Sequence, residues 1–405
     1  MQFDVVIAGG GMTGAMLAYA LQSQSSRILK IAIVEKQSDA QVKAPSLSFD
    51  SRSIALSAAS VDLLASWGLW SELAPYACPI SHISVSDRGH IGKVRLSASE
   101  FNRRSLGQVI EIERIGELLY QRLAQVPSSQ ITWYRPDQIV HITQNVDSQQ
   151  LLLASGSVLE TQLLALCEGG DSPTRALAGI GCKVEHYQQT ALIANIGVAG
   201  DHQQKAYERF TSTGPLALLP LTRQRYSLVW TLNTDDAARL MAASPQQFLA
   251  ELQQAFGYRA GVLQSVGERL SYPLSLKTAL QASSHRVVLC GNSLHNLHPI
   301  AGQGFNLALR DLAALLTLTE QHADVGCYAL THSYAKVRQQ DMQQIVSLTD
   351  GLVRLFSNDS KLLALGRTLG LTLLDNCPAL KSAFAKQTMG LSPQHRQEQQ
   401  LTMKE

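Results

Sequence analysis

Gly9-Gly10-Gly11-Met12-Thr13-Gly14 satisfies G-x-G-x-x-G and stands between a short apolar run, Asp4 to Ala8, and a stretch of helix formers, Ala15 to Leu21. Such a pattern suits phosphate binding. Gly9 makes the tight turn, Gly11 lets a pyrophosphate approach the backbone, and Gly14 permits close packing of helix on strand. The N–H groups and dipole at the helix N-terminus then favour an anion. Glu35 closes a second apolar run, Ile31 to Val34, about twenty residues past the last glycine, where a carboxylate accepts hydrogen bonds from a ribose diol. Alone, the glycines are as consistent with a plain turn. With strand, helix, second strand and terminal acid in order, they read as an adenine dinucleotide site; the acid leaves FAD or NAD open and argues against a 2′-phosphate there.

Two further clusters carry special residues. Cys167-Glu168-Gly169-Gly170-Asp171-Ser172-Pro173-Thr174-Arg175 is an acidic glycine turn after an apolar strand, which alone would be a surface loop. The segment from Gly291 and Asn292 through His295, His298, Pro299, Gly302, Gln303 and Gly304 to Asn306 is too rich in such residues for a simple connection. Its Gly302-Gln303-Gly304 leads into another helix N-terminus, which could face a developing anion. His295 and His298 are acid/base candidates, because the histidine side chain is the one whose ordinary charge change falls near neutrality, and equally loop hydrogen-bonders that shape a pocket. No Ser/His/Asp triad is evident. The six cysteines show no CxxC and no zinc spacing, so no metal is expected and a reduced, cytosolic chain is the simplest reading.

The elements that must hold these residues follow from pattern. Strand, glycine turn, helix and strand make a βαβ unit, which needs a parallel sheet and a right-handed crossover. Helices are expected at Ser60 to Trp67, Arg114 to Ala124, Pro245 to Phe256 and Phe305 to Thr319, and buried strands at Leu163 to Leu166 and Val287 to Leu289. Between Gln188 and Tyr272 strands alternate with turns, and Thr222-Arg223-Gln224-Arg225 reads as a hairpin, so an antiparallel domain inserted into the first is expected. At 405 residues two or three units are expected, and a net charge of +2 without a dense Lys/Arg cluster excludes a general nucleic-acid binder. The N-terminus lacks the basic region of a secretory signal. Val5 to Ser26 is uncharged, but its glycines make it a strand and helix rather than a membrane span.

Together the three clusters resemble the single-component flavin-dependent aromatic hydroxylases, the class that includes para-hydroxybenzoate hydroxylase. Their fingerprints occur in this order: the N-terminal glycine motif, a D-G motif, and a G-D motif followed by P-x-x-G-x-G. The resemblance covers roughly residues 3 to 350 and identifies the dinucleotide as FAD. Within that class, Asp50 to Ser57, Val85-Ser86-Asp87-Arg88-Gly89-His90, Glu208-Arg209-Phe210-Thr211 with Gly214 to Ala217, and His298 to Leu307 are similar to the ubiquinone-biosynthesis hydroxylases. The V-S-D-R-G-H stretch and Asn292 are most similar to the 2-polyprenyl-6-methoxyphenol 4-hydroxylase subgroup. Glu168 departs from the family's aspartate by one methylene, and Asn292 from the wider family's aspartate.

The resemblance implies an α/β fold: a Rossmann-like FAD-binding domain from residues 1–79, 105–182 and 273–350, a substrate domain from 80–104 and 183–272, and a helical C-terminal region, 351–405. It implies that NADH or NADPH reduces FAD and that O2 forms a flavin C4a-hydroperoxide, which hydroxylates the ring of a polyprenylated phenol. Gly9, Gly11, Gly14 and Glu35 then belong to the adenosine diphosphate end, with Arg52 and Arg114 near FAD. Asn292 belongs near the ribityl chain or pyrophosphate, Pro299 and the loop of Gly302, Gln303 and Gly304 flank the isoalloxazine, and Glu168, Gly169, Gly291 and Asn306 are further cofactor-binding positions, the longer Glu168 able to shift contacts to the flavin or the nicotinamide donor. The alternatives are a sister ring position, a soluble aromatic substrate, or a non-catalytic flavin-bound subunit of a biosynthetic complex. Other ubiquinone-biosynthesis proteins are the expected partners. A bilayer-borne substrate adds a peripheral contact at the inner face of the membrane, with Leu352 to Leu369 as the candidate segment.

Overall fold

The computed structural model describes residues 1–38, 52–296, 303–356 and 370–391. The chain opens with β1 (Gln2–Ala8), α1 (Met12–Gln24) and β2 (Ile31–Val34). Next come β3 (Ser53–Ser57), α2 (Ala58–Ser66), the single turn α3 (Trp70–Leu73), β4 (Cys78–Ile80), and the hairpin of β5 (His82–Asp87) and β6 (Lys93–Ser97). β7 (Gly107–Glu111) runs directly into α4 (Ile112–Ala124), followed by β8 (Ile131–Tyr134), β9 (Ile139–Gln144), β10 (Gln149–Leu153) and β11 (Val158–Leu166). After α5 (Pro173–Leu177) come β12 (Cys182–Val198), β13 (Lys205–Thr211), β14 (Gly214–Leu221), β15 (Arg225–Asn233), α6 (Thr234–Ala242), α7 (Pro245–Phe256), β16 (Leu263–Val266) and β17 (Leu270–Ala279). The described chain closes with β18 (Ser283–Ser284), β19 (Val287–Leu289), β20 (His295–Asn296), α8 (Gln303–Gln321), α9 (Tyr328–Phe356) and α10 (Pro378–Thr388).

Five parallel strands in the order β8, β2, β1, β11, β19 form the body of an eight-stranded first sheet, to which β18 adds antiparallel at β19, and β10 and β9 antiparallel beside β11. The chain winds outward from β1 through β2 to β8, then returns to the other side of β1 for β11 and β19. The reversal lies between β1 and β11, where open α/β sheets take their ligands outside the carboxyl ends of the strands. Tyr134, Val34, Ala8, Leu166 and Leu289 are register partners in one line, so the segments that follow four of these strands (Glu35, the Gly9 turn, the Cys167 turn and the Cys290 turn) emerge level with one another. The strands are unbroken apolar runs because helices such as α1, α4 and α8 cover the sheet.

The second sheet has the order β20, β17, β12, β15, β14, β13, β5, β6. It is antiparallel except that β13 runs parallel to β5. The expected hairpin is present, with Arg223 and Gln224 at φ 61° and 56°, the left-handed pair that matches strand twist. One face packs on α6 and α7, where Leu192, Leu218, Leu228 and Trp230 meet Phe248, Leu252 and Phe256. Ser244 and Gln247 form a capping box that starts α7. β17 runs on to Ala279, past the Tyr272 limit expected from pattern, because it stays paired with β12 as far as Cys182.

A small sheet, β3–β7–β4, lies between the two large ones, with Ala55, Ile80 and Val109 packed on Ala206 and Leu221. The described part of the C-terminal region covers the sheet edge: Leu371, Ala385 and Met389 pack with Ala58, Leu96 and Phe210. Leu352 to Phe356 end α9, and the apolar run from Leu362 to Leu369 falls outside the described residues. Among the described residues no helix is long and apolar enough to cross a membrane, and no group of His, Cys, Asp or Glu is placed to hold a metal.

Candidate functional site

The first turn is built by steric exclusion. Gly9 has φ +95°, and a Cβ on it would lie 2.8 Å from the Cys167 carbonyl oxygen. A Cβ on Gly14 would lie 1.9 Å from the Gly9 carbonyl oxygen, so α1 rides directly on the turn. Gly11 is different: a Cβ there would meet nothing within 4 Å. Gly11 caps α1 without a side-chain acceptor, and the first turn of α1 has no acid. The helix N-terminus therefore faces open space with no anion of its own. Glu35 is fixed beside it, its Oε2 accepting the Gly10 N–H at 2.6 Å and its Oε1 the Gln37 N–H at 2.8 Å. Two aromatics that the motif gave no sign of complete this corner. The Tyr120 hydroxyl donates to the Gly10 carbonyl at 2.8 Å, and Trp133, stacked on Tyr120, closes the space over Gly10.

The second turn binds itself. Gly169 has φ +93°. Glu168 accepts from the Ser172 hydroxyl at 2.5 Å, the Thr174 hydroxyl at 2.7 Å and the Thr174 N–H at 3.2 Å, so its carboxylate holds the start of α5. The longer side chain thereby has a local use in capping α5. Arg175, buried on α5, donates to the carbonyls of Gly170 and Ser293 at 3.1 and 2.9 Å and ties the second turn to the third.

At the third turn Gly291 has φ +61°, and a Cβ on it would lie 2.9 Å from Thr13 Oγ1. The first and third fingerprints are thus in contact. Asn292 beside it is exposed. His295 is fully buried, its Nε2 2.9 Å from Asp311 Oδ2. Asp311 also pairs with Arg338 at 2.6 Å; Arg338 pairs with Asp341 at 2.8 Å, and Asp341 with Arg310 at 3.1 Å. His295 therefore shapes the loop from within a buried chain of paired polar groups, with no exposure to solvent. Asn306 bonds to the backbone of β3. Its Oδ1 accepts the Ser57 N–H and its Nδ2 donates to the Ala55 carbonyl, each at 2.8 Å, so it fastens β3 to α8.

Arg52 stacks on Tyr272, its guanidinium carbon 5.2 Å from the ring centroid, and so bridges to the second sheet. Arg114 pairs with Glu117 at 2.9 Å and lies over the Tyr76 ring. Gln303 is the first residue of α8, and a Cβ on Gly304 would meet nothing within 4 Å. His298, Pro299 and Gly302 lie outside the described residues. Two surface cavities, of about 840 Å³ beside Leu280 and Tyr328 and about 720 Å³ beside Arg103 and Lys386, lie away from the three turns.

Three turns level with one another, two helix N-termini with open space, and a fixed acid at the end of β2 fit an elongated dinucleotide. A family model described as "FAD binding domain" matches residues 2–349. The chain belongs to that family. It is 33% identical to the ubiquinone hydroxylase UbiL of Rhodospirillum rubrum over 96% of this chain and 89% of that protein. It is 29% identical to the 3-demethoxyubiquinol 3-hydroxylase of Escherichia coli over 96% and 98%. The crystal structure of p-nitrophenol 4-monooxygenase PnpA from Pseudomonas putida superposes with a TM-score of 0.76, covering 96% of this chain and 98% of that one, at 15% identity, a likeness of fold. The chain is thus an FAD-dependent monooxygenase of the ubiquinone-biosynthesis hydroxylase family, taking electrons from NADH or NADPH and oxygen from O2.

Proposed function

We propose that this chain hydroxylates the ring of a polyprenylated methoxyphenol in ubiquinone biosynthesis. The observation that carries the reading is the level row of left-handed glycine turns at Gly9, Gly169 and Gly291, in a chain similar to a ubiquinone hydroxylase along nearly its whole length. Bound FAD supplies the transfer of electrons from NADH or NADPH and the activation of O2. The protein supplies position. In this reading the open N-terminus of α1 at Gly11 takes the pyrophosphate, and Glu35, steadied by Gly10, takes the ribose diol. Asn292 donates to or accepts from a ribityl hydroxyl, and the N-terminus of α8 at Gly304 faces the flavin ring, where its dipole favours negative charge. Glu168 and Asn306 position the second turn and β3, and Arg52 links the cofactor side to the second sheet. The face of that sheet turned toward the small sheet is largely apolar, which suits an aromatic ring and keeps water from the reacting centre.

The specific reading is hydroxylation of 2-polyprenyl-6-methoxyphenol at the position para to its hydroxyl. A sister ring position is the second reading, favoured by the likeness to a 3-demethoxyubiquinol 3-hydroxylase. Deletion of the gene followed by lipid extraction separates them: accumulation of the methoxyphenol supports the first, and any other accumulated intermediate sinks it. The purified protein loaded with FAD, offered NADH or NADPH and candidate phenols, is expected to give a hydroxylated product by mass. Oxidation of NAD(P)H that no phenol stimulates would favour the non-catalytic subunit instead. A polyprenyl tail partitions into the bilayer, so delivery requires a peripheral membrane contact or a partner protein of the same pathway, and liposome flotation distinguishes these.

A further inference from the structure

One cross-strand row of the second sheet carries a carboxylate among apolar side chains. Register places Val85, Glu208, Ala217, Val229, Ile193 and Leu270 side by side on five neighbouring pairings, and directly paired residues share a face. The opposite face of the same strands is the one that α6 and α7 cover, through residues such as Tyr207, Leu218 and Leu228. The Glu208 face therefore looks toward the FAD-binding part. Two residues before Glu208, Ala206 meets Val109 and Ala55; two residues after, Phe210 packs with Ala58; and Tyr272, two residues beyond Leu270, carries Arg52. β3, which supplies Ala55, is the strand that Asn306 fastens to α8.

Glu208, Val85, Val229, Ile193 and Leu270 are each half-buried, so this row is neither solvent-washed nor sealed. Among the described residues the Glu208 carboxylate has no hydrogen bond and no ion pair. Burial pushes its carboxyl up to about 7. Among the described residues, four charged groups on this face or on elements packed against it have partners elsewhere: Asp87 with His90 at 3.0 Å, Arg225 with Glu111 at 3.1 Å, Arg310 with Asp341 at 3.1 Å, and Arg52 on Tyr272. A desolvated carboxyl without a partner costs stability, which points to a ligand as the missing partner.

We propose that Glu208 is the acid–base group that meets the substrate: its carboxylate accepts the hydrogen bond of the phenol hydroxyl and takes its proton, while the apolar row holds the ring. This rests on the reading of the chain as a ring hydroxylase. The phenol O–H bond breaks, the proton goes to a Glu208 carboxylate oxygen, and the electron pair stays on the ring oxygen. The step is redox-neutral, and the phenolate so formed is richer in electrons at its ortho and para carbons. The proton returns to water when product leaves.

The test uses the FAD-loaded full chain with 2-methoxy-6-prenylphenol as probe. Glu208→Gln is expected to keep its FAD and its slow NAD(P)H oxidation without phenol, and to lose about 100-fold in kcat for product, the usual scale of a general base. The acid limb of the kcat/KM profile, near pH 7 in the parent from the carboxyl at about 7, is expected to vanish in Glu208→Gln and to persist, at reduced kcat, in Glu208→Asp. An unchanged kcat and profile in Glu208→Gln overturns the assignment while leaving the hydroxylase reading intact. If Glu208→Gln fails to hold FAD, Glu208→Asp decides, and full kcat with an unshifted limb overturns it. A parent protein that holds FAD but hydroxylates no phenol overturns the functional reading and this one with it.

Discussion

Asp311 Oδ1 and Arg338 Nε lie 2.6 Å apart with neither side chain exposed, while Asp311 Oδ2 also accepts the Gly291 N–H at 2.8 Å. Burial works against the guanidinium charge of Arg338, yet Asp311 and Asp341 outweigh it and raise its pKa. The third turn is therefore anchored on a buried ion pair. Asp311→Asn leaves Arg338 with Asp341 and weakens acceptance from Gly291, which is expected to cost about 1–3 kcal/mol, while Asp311→Asn combined with Asp341→Asn strips the buried Arg338 of both carboxylates and is expected to cost about 3–5 kcal/mol. Urea unfolding of the two variants checks this, and a loss under about 1 kcal/mol in Asp311→Asn would contradict it.

Gly11 and Gly14 separate binding from folding. Gly14→Ala forces a Cβ to within 1.9 Å of the Gly9 carbonyl oxygen and is expected to destabilise the FAD-free protein by at least about 2 kcal/mol. Gly11→Ala adds a methyl to open space, so the FAD-free protein should change by no more than about 0.5 kcal/mol. Its FAD affinity should nonetheless fall about tenfold or more, because the methyl stands where a phosphate must approach. Thermal melts and FAD fluorescence titrations measure the two quantities, and equal behaviour of the variants would refute the distinction.

Glu168→Ala tests the capping role. Losing acceptance from Ser172 and Thr174 is expected to cost about 1–3 kcal/mol of stability. FAD affinity, compared at a temperature where both proteins are folded, should stay within about threefold of the parent. A large loss of affinity at unchanged stability would make Glu168 a cofactor ligand after all.

Glu208 also links stability to pH. Its carboxyl titrates at about 7 in the folded chain against an ordinary 4.5. Between those values the native state holds a proton that the unfolded state has released, so stability falls as pH rises through the window and stays at its lower level above it. Glu208→Gln should flatten this slope and be the more stable protein at pH 8, by roughly 1–3 kcal/mol. Chemical denaturation at pH 5 and pH 8 gives the comparison, and a pH-independent difference would rule the linkage out.

The sequence by itself determined the pieces whose conformation depends on near neighbours: the Gly9 to Gly14 turn, the apolar strands at Val5, Ile31, Leu163 and Val287, the Thr222 to Arg225 hairpin and the helices that follow the glycine motifs. It also carried the family, because three fingerprints in fixed order are a property of the chain and not of its packing. Only the tertiary structure decided what the polar side chains around those motifs touch. Asn306 holds Ser57 across 249 residues of chain, Tyr120 reaches Gly10 across 110, and His295 meets Asp311. Glu208 could be quoted from the sequence as part of a family stretch, but its isolation in an apolar row exists only once six strands are in register. A turn is set by local sterics, whereas a hydrogen-bond partner or a desolvated carboxyl is set by whichever distant residues the sheet brings within a few ångströms.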